Sequence, residues 1–197
     1  MLTDFQKKYG LVADGVFGKN TARKIKEVFN IKYPALFFGQ VCHESANLTL
    51  KEENLNYTAS RLQEVFPKYF QTFSKAKEYE RNPQKLANLV YNNRMGNLNP
   101  NDGYYFRGRG AIQLTGRDNY KAFENWLVIK ELCKPNDIMN NPELVWKEFY
   151  IESAIFFFDK NNLWNITDVK ALTKRVNGGL NGLKERKEKT LLYAKWF

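Results

Sequence analysis

Apolar positions along this chain recur mostly at three- and four-residue spacing, the period of a helix that buries one face. The clearest case is Pro34-Ala35-Leu36-Phe37-Phe38-Gly39-Gln40-Val41-Cys42-His43-Glu44-Ser45-Ala46-Asn47, in which Phe37, Val41, Glu44 and the following Leu48 share one face. Proline is tolerated at the first helical position, and Ser-Ala-Asn is a place for such a helix to end. Glu44 therefore stands on an otherwise apolar stripe. Glu is rarely buried unless it is paired or put to use, and desolvation favours its neutral, proton-donating form. Taken alone, Glu44 is a helix-end residue that turns to solvent or pairs with an Arg.

The rest of the pattern predicts further short helices. Two, over residues 2–9 and 20–29, are joined by the Gly- and Asp-rich turn 10–18, with Asn20 or Thr21 capping the second. Residues 48–58 read as a loop with a short extended piece. Thr58 or Ser60 caps a helix that Pro67 ends. Short amphipathic helices fill 68–92, one starting at Pro83 with Leu86, Leu89 and Val90 on its face. The aromatics and alternating glycines of 104–120 suggest a hairpin or loop with close backbone approach. Helices follow over about 118–127, 142–159, 168–176 (capped by Thr167) and 183–197. The sum is a mainly α fold with one small β element. Residues 1–30 form a short helical unit before a main domain over 34–197.

Composition narrows the chemistry. At 197 residues, with 15 Phe and 11 Tyr, the chain can build one good core. No apolar run approaches the roughly 20 residues of a spanning helix, so stable membrane insertion is not expected. The first residues lack the apolar core of a secretory signal, which predicts synthesis in the cytosol without a Sec address. Cys42 and Cys133 show no metal spacing and are expected to be reduced and buried. His43-Glu44 does not extend to the zinc pattern H-E-x-x-H, because Asn47 stands at the fourth following position, and no metal or cofactor is expected. A net charge of +10 suits a polyanionic partner. No nucleic-acid motif accompanies it.

Glycosidic hydrolysis asks for two carboxylates at two levels of solvation, one to protonate the departing oxygen and one to activate water. Glu44 has apolar neighbours. Glu53, nine residues on, lies among Glu52, Asn54 and Asn56, as an ionised base would. Without Glu44, Glu52-Glu53 would read as a solvated loop.

Four stretches in order resemble glycoside hydrolase family 19, which holds plant-type chitinases and many phage endolysins. They are His43-Glu44-Ser45, Glu53-Asn54-Leu55-Asn56-Tyr57-Thr58-Ala59, the run from Phe106-Arg107-Gly108-Arg109-Gly110 through Gln113-Leu114-Thr115-Gly116-Arg117 to Asn119-Tyr120, and Val176-Asn177-Gly178-Gly179 to Leu183. The resemblance implies a lysozyme-like, mainly helical fold with a groove between two lobes, Glu44 as general acid and Glu53 as general base. It implies that Thr115 helps hold the attacking water and that Gln113, Asn119, Tyr120 and Asn177 bind sugar. His43 and Arg186 are supporting residues, and Arg186 must buttress the acidic pair while sparing Glu44. Tyr57 either stacks on a sugar or packs in the core. Arg107, Arg109 and Arg117 are also readable as fold-holding ion pairs.

Phe5-Gln6, Gly10-Leu11 and Asp14-Gly15-x-x-Gly18-x-x-Thr21 look like half of a small peptidoglycan-binding repeat. With the basic charge, and without the cysteines of secreted plant chitinases, the expectation is a monomeric endolysin. It would hydrolyse the β-1,4 strand of bacterial peptidoglycan, as a muramidase, with inversion. It would wait in the host cytoplasm until the membrane is permeabilised. A chitinase, a lytic transglycosylase and a non-catalytic wall-binding protein are the alternatives.

Overall fold

The structure, a computed structural model, describes residues 2–197. In chain order its helices are α1 Leu2–Lys8, α2 Lys19–Val28, α3 Pro34–Glu44, α4 Ala59–Val65, α5 Phe73–Lys77, α6 Pro83–Val90 and α7 Asp102–Tyr105. Then come α8 Arg117–Ile129, α9 Asp137–Asn140, α10 Leu144–Lys147, α11 Tyr150–Lys160, α12 Val169–Asn177 and α13 Leu183–Ala194. The mainly helical class and the lysozyme-like character expected from the sequence hold. The chain divides into two compact units. One comprises the chain up to Lys51, Gly110–Gln113 and Leu144–Phe197; the other comprises Glu52–Arg109 and Leu114–Glu143.

In the first unit, α3 is the central element. Pro34 starts it, and Phe37, Phe38, Val41 and Cys42 are all buried. Phe37 meets Phe158 of α11 and Trp164 with ring centroids 4.9 and 5.6 Å away. Gly39 lets α13 come close, since a Cβ there would lie 2.1 Å from Thr190 Oγ1 and 3.2 Å from the Arg186 carbonyl oxygen. Phe17 packs on Phe38, Tyr193 and Trp196, which seats the N-terminal helix pair in this unit. The turn before α2 closes on buried Gln6, whose Nε2 donates to Asp14, the Val16 carbonyl and Thr21 while its Oε1 accepts from Gly15 N–H. Thr21 is thus spent inside the turn. Gly18, not Asn20 or Thr21, is the N-cap of α2.

Three other local expectations shift. The helix expected over 142–159 breaks into α10 and α11 at Phe149 (φ −111°, ψ 35°), outside helical geometry. The start of α11 is stitched to another stretch of chain, with Ser153 Oγ donating to the Tyr150 carbonyl and accepting from Ala111 N–H. Asp168, not Thr167, caps α12, its carboxylate accepting from Ala171 N–H at 2.7 Å. Cys42 is buried, which pushes its thiol up to about 12, whereas Cys133 is only half-buried.

The second unit gathers Leu55, Ala59, Leu62, Phe70, Ala76, Leu86, Ala87 and Val90 into one apolar cluster beneath α4, α5 and α6. Thr58 caps α4, as expected, by accepting from Arg61 N–H. The β element is reduced to isolated antiparallel bridges, Glu52 to Arg109 and Arg109 to Leu114. Positive φ at Gly110 and Gln113 turns the chain out of the extended region between Arg109 and Leu114, so no ladder propagates. The three arginines of this stretch all make ion pairs: Arg107 and Arg109 with Glu52, and Arg117 with Asp102.

Asp102, 4% exposed, ties the turn before α7 to α8. Its Oδ2 accepts from the N–H groups of Leu98 and Asn99, and Arg117 engages both of its oxygens at 2.7 and 2.8 Å. The Arg117 guanidinium first, with these backbone donors, holds the Asp102 carboxyl down at about 2. The folded value lies below the unfolded one, so the stabilisation is present above pH ~4 and is lost as pH falls through about 2. Asp102→Asn is expected to lower the unfolding free energy by about 2 kcal/mol at pH 7. In urea titrations that deficit should shrink toward zero as pH approaches about 2.

Candidate active site

Glu44 is the last residue of α3, where the stripe of Phe37 and Val41 runs out. Its side chain is 29% exposed, so the apolar face does not enclose it. The expectation that Arg186 spares Glu44 is not met: Arg186 Nη2 donates directly to Glu44 Oε1. Arg186 itself is 1% exposed, in the first turn of α13. A guanidinium cannot be buried without partners, and the neighbours supply them. Gln40 Oε1 accepts from Nη1 at 2.8 Å, and the Asn181 carbonyl accepts from Nε at 3.4 Å. Gln40 in turn donates to Thr173 of α12. Asn177 donates its Nδ2 to the same Asn181 carbonyl at 3.0 Å, fixing the turn between α12 and α13. His43 Nδ1 lies 2.8 Å from Glu185 Oε2, within ion-pair reach without the alignment of a hydrogen bond. Gly182 (φ +69°) lies against the ring; a Cβ there would lie 2.3 Å from His43 Cε1.

Glu53 belongs to the second unit and is held differently, by neutral donors. Gly108 N–H donates to Oε1 at 2.6 Å and the Tyr91 hydroxyl to Oε2 at 2.7 Å. Glu53 N–H returns a bond to the Gly108 carbonyl at 3.0 Å. Burial first, and the Glu53 charge next, push the Tyr91 phenol well above its ordinary value, so it is a donor throughout the neutral range. Beside Glu53 is a cleft of about 300 Å³ whose walls include Glu52, Asn54, Asn56, Tyr104 and Arg107. Arg107 stacks 4.2 Å over the Tyr104 ring while pairing with Glu52. One wall of the cleft is therefore an ordered aromatic–cation platform.

The other candidates divide. Asn119 donates its amide to the Thr115 carbonyl at 2.8 Å, and Thr115 is half-buried. Gln113 (φ +54°) donates to the Gly110 carbonyl. Tyr57, half-buried, packs edge-on against Phe66 beside the apolar cluster. Tyr120 is a correction: it is 0% exposed, so its ring does not reach a sugar. Its hydroxyl donates to the Arg107 carbonyl at 2.6 Å and accepts from Arg109 Nη1 at 3.0 Å. It is a post that holds the two arginines, and burial pushes its phenol up to about 12. Sequence reasoning missed Gln40, Asn181 and Tyr91. Gln40 stands one helical turn before Glu44 on α3, which is a usable signal. Tyr91 had none, because its distance along the chain from Glu53 hides it.

The Arg186 cluster makes a direct prediction. Arg186→Ala leaves Gln40 with an unpaired buried oxygen and Glu44 without its cation, and should lower the unfolding free energy by about 3 kcal/mol. Arg186→Lys keeps the charge but not the forked geometry and should fall between the two. Chemical denaturation of the three proteins at pH 7 checks the order.

No family model matches the chain. It is 38% identical over 185 residues to a glycosyl hydrolase family 19 domain-containing protein of Haemophilus influenzae, an alignment spanning 92% of this chain and 89% of that protein. It is 32% identical over 150 residues to an acidic endochitinase of Petunia hybrida, spanning 73% of this chain but 39% of that protein. The Haemophilus likeness runs nearly end to end in both chains. The chain belongs to glycoside hydrolase family 19 and is a chitinase-like glycoside hydrolase.

Proposed function

We propose that this protein is an endolysin that hydrolyses β-1,4 bonds of bacterial peptidoglycan with inversion, Glu44 acting as general acid and Glu53 as general base. The observation that carries the catalytic reading is the way Glu53 is presented: a carboxylate held at both oxygens by neutral donors beside a cleft with a stacking wall. Its remaining lone pairs are free to take a proton from water. Arg186 engages Oε1 of Glu44, which leaves Oε2 as the atom to carry the proton to the leaving oxygen. As Glu53 takes the proton, the water oxygen bonds to the anomeric carbon. The glycosidic C–O bond breaks, and Glu44 protonates the departing oxygen. Exchange with solvent restores both carboxyls. Thr115 is the proposed aid in holding the water, and Gln113, Asn119 and Asn177 the proposed sugar contacts.

Two observations support peptidoglycan as the substrate. The first unit holds eighteen Lys and Arg against ten Asp and Glu, so most of the +10 resides there and suits an anionic wall. That unit also contains the N-terminal turn resembling a wall-binding repeat. The turn borders a cleft of about 320 Å³ lined in part by Gln6, Leu11, Asp14, Lys19 and Thr21. The setting we propose is host-cell lysis after the inner membrane is permeabilised, with the protein acting as a monomer. The second reading is a chitinase, favoured by the likeness to the petunia endochitinase.

Purified peptidoglycan and chitin oligomers should be digested in parallel, and the borohydride-reduced products analysed by mass spectrometry. Reduced muramic-acid ends are expected. Cleavage of chitin alone would support the chitinase reading, and anhydro ends a transglycosylase. Glu44→Gln and Glu53→Gln should each lower kcat by about 100-fold or more; Glu53→Gln should melt close to wild type, whereas Glu44→Gln, which leaves the buried Arg186 guanidinium without its carboxylate, should melt lower. Full activity in Glu53→Gln would remove the base from the mechanism.

A further inference from the structure

We infer that Tyr91 is the positioning residue of the Glu53 carboxylate, the element that sets the orientation of the proposed base without touching substrate. The inference rests on the reading of Glu53 as that base. Tyr91 is the C-cap of α6, its N–H donating to the Ala87 carbonyl at 2.9 Å and its carbonyl accepting from Asn97 Nδ2 at 3.1 Å. The residue before it, Val90, and the residue two after Glu53, Leu55, both insert into the same apolar cluster. Base and phenol are thus mounted on one packed core, and the 2.7 Å bond between them spans 38 residues of sequence.

The terminal torsion of a Glu side chain is broad and roughly two-fold, so backbone placement alone does not orient the carboxylate plane. Two donors from different stretches of chain do. Gly108 N–H holds Oε1 and Tyr91 holds Oε2. With both in place, the carboxylate plane is fixed, and with it the directions of the two unoccupied lone pairs. With the Tyr91 bond removed, the Gly108 contact is a single pivot. A misdirected base lowers the rate of proton abstraction while leaving the sugar contacts as they were.

The test is Tyr91→Phe, which keeps the ring in the packed core and deletes only the donor, together with Glu53→Gln and the double variant. All are assayed on chitin oligomers and on solubilised glycan strands, with kinetics read on whichever substrate the wild type cleaves. Tyr91→Phe is expected to lower kcat by about 10- to 100-fold with KM within about two-fold and with an unchanged melting temperature. In the Glu53→Gln background the same substitution should have no further effect, because Tyr91 acts only through Glu53. Wild-type kcat in Tyr91→Phe overturns the inference. So does a rise in KM alone, which would make Tyr91 a substrate contact, and so does an activity loss that follows a falling melting temperature. If Glu53→Gln is active, or if neither substrate is cleaved, the reading of Glu53 fails and this inference falls with it. If Glu53→Gln is inactive while Tyr91→Phe is normal, only the role of Tyr91 is lost.

Discussion

A guanidinium buried to 1% exposure has to be answered by its surroundings, and much of the first unit is that answer. Arg186 commits α13 to lie against α3 closely enough for Gln40 and Glu44 to reach it, and Gly39 is the residue that permits the approach. It recruits the Asn181 carbonyl, which Asn177 also grips, so the turn leaving α12 is set by the same charge. Breaking a buried pair costs about 3–5 kcal/mol because of what it leaves unpaired. That cost, more than any attraction the pair supplies, gives the cluster its definition. Glu44 inherits a fixed place at the end of α3 from this arrangement.

The second unit reaches the same end by other means. Among the described residues Glu53 has no cation in its direct grip; the arginines nearby, Arg107 and Arg109, are occupied by Glu52. Its geometry comes from an amide and a phenol, and the phenol is in turn fixed by an apolar cluster. Two carboxylates are thereby held in two electrostatic settings, an ion pair and a pair of neutral hydrogen bonds. Tyr120 shows how deep the support goes: fully buried, it holds the two arginines that hold Glu52, the neighbour of Glu53.

Much of this was legible in the sequence, and the boundary is physical. The helical period located α3, α6, α8 and α13 to within a few residues, and Pro34, Pro83 and Thr58 marked helix starts because their effects are local. The motif order suggested Glu44 and Glu53 as a pair and pointed to the family, which the Haemophilus likeness shows. Local rules also misled where a side chain had a better offer elsewhere. Thr21 serves Gln6 instead of capping α2, and the long helix expected over 142–159 yields to the stitching of Ala111 onto Ser153. The desolvated Glu44 read from its apolar stripe became a partly exposed, ion-paired one.

Left to itself, the sequence determined the helical class and the sites of the turns, and it singled out Glu44 and Glu53 as candidate carboxylates. Each depends on residue type and on neighbours within about one or two helical turns. Only the tertiary structure decided the partners of those carboxylates. Arg186 stands 142 residues from Glu44, and Tyr91 and Gly108 stand 38 and 55 residues from Glu53. Hydrogen bonds and ion pairs act over a few ångströms of space with no regard for separation along the chain. Which donor meets which oxygen is therefore settled when the cores pack, and not by the period that forms the helices.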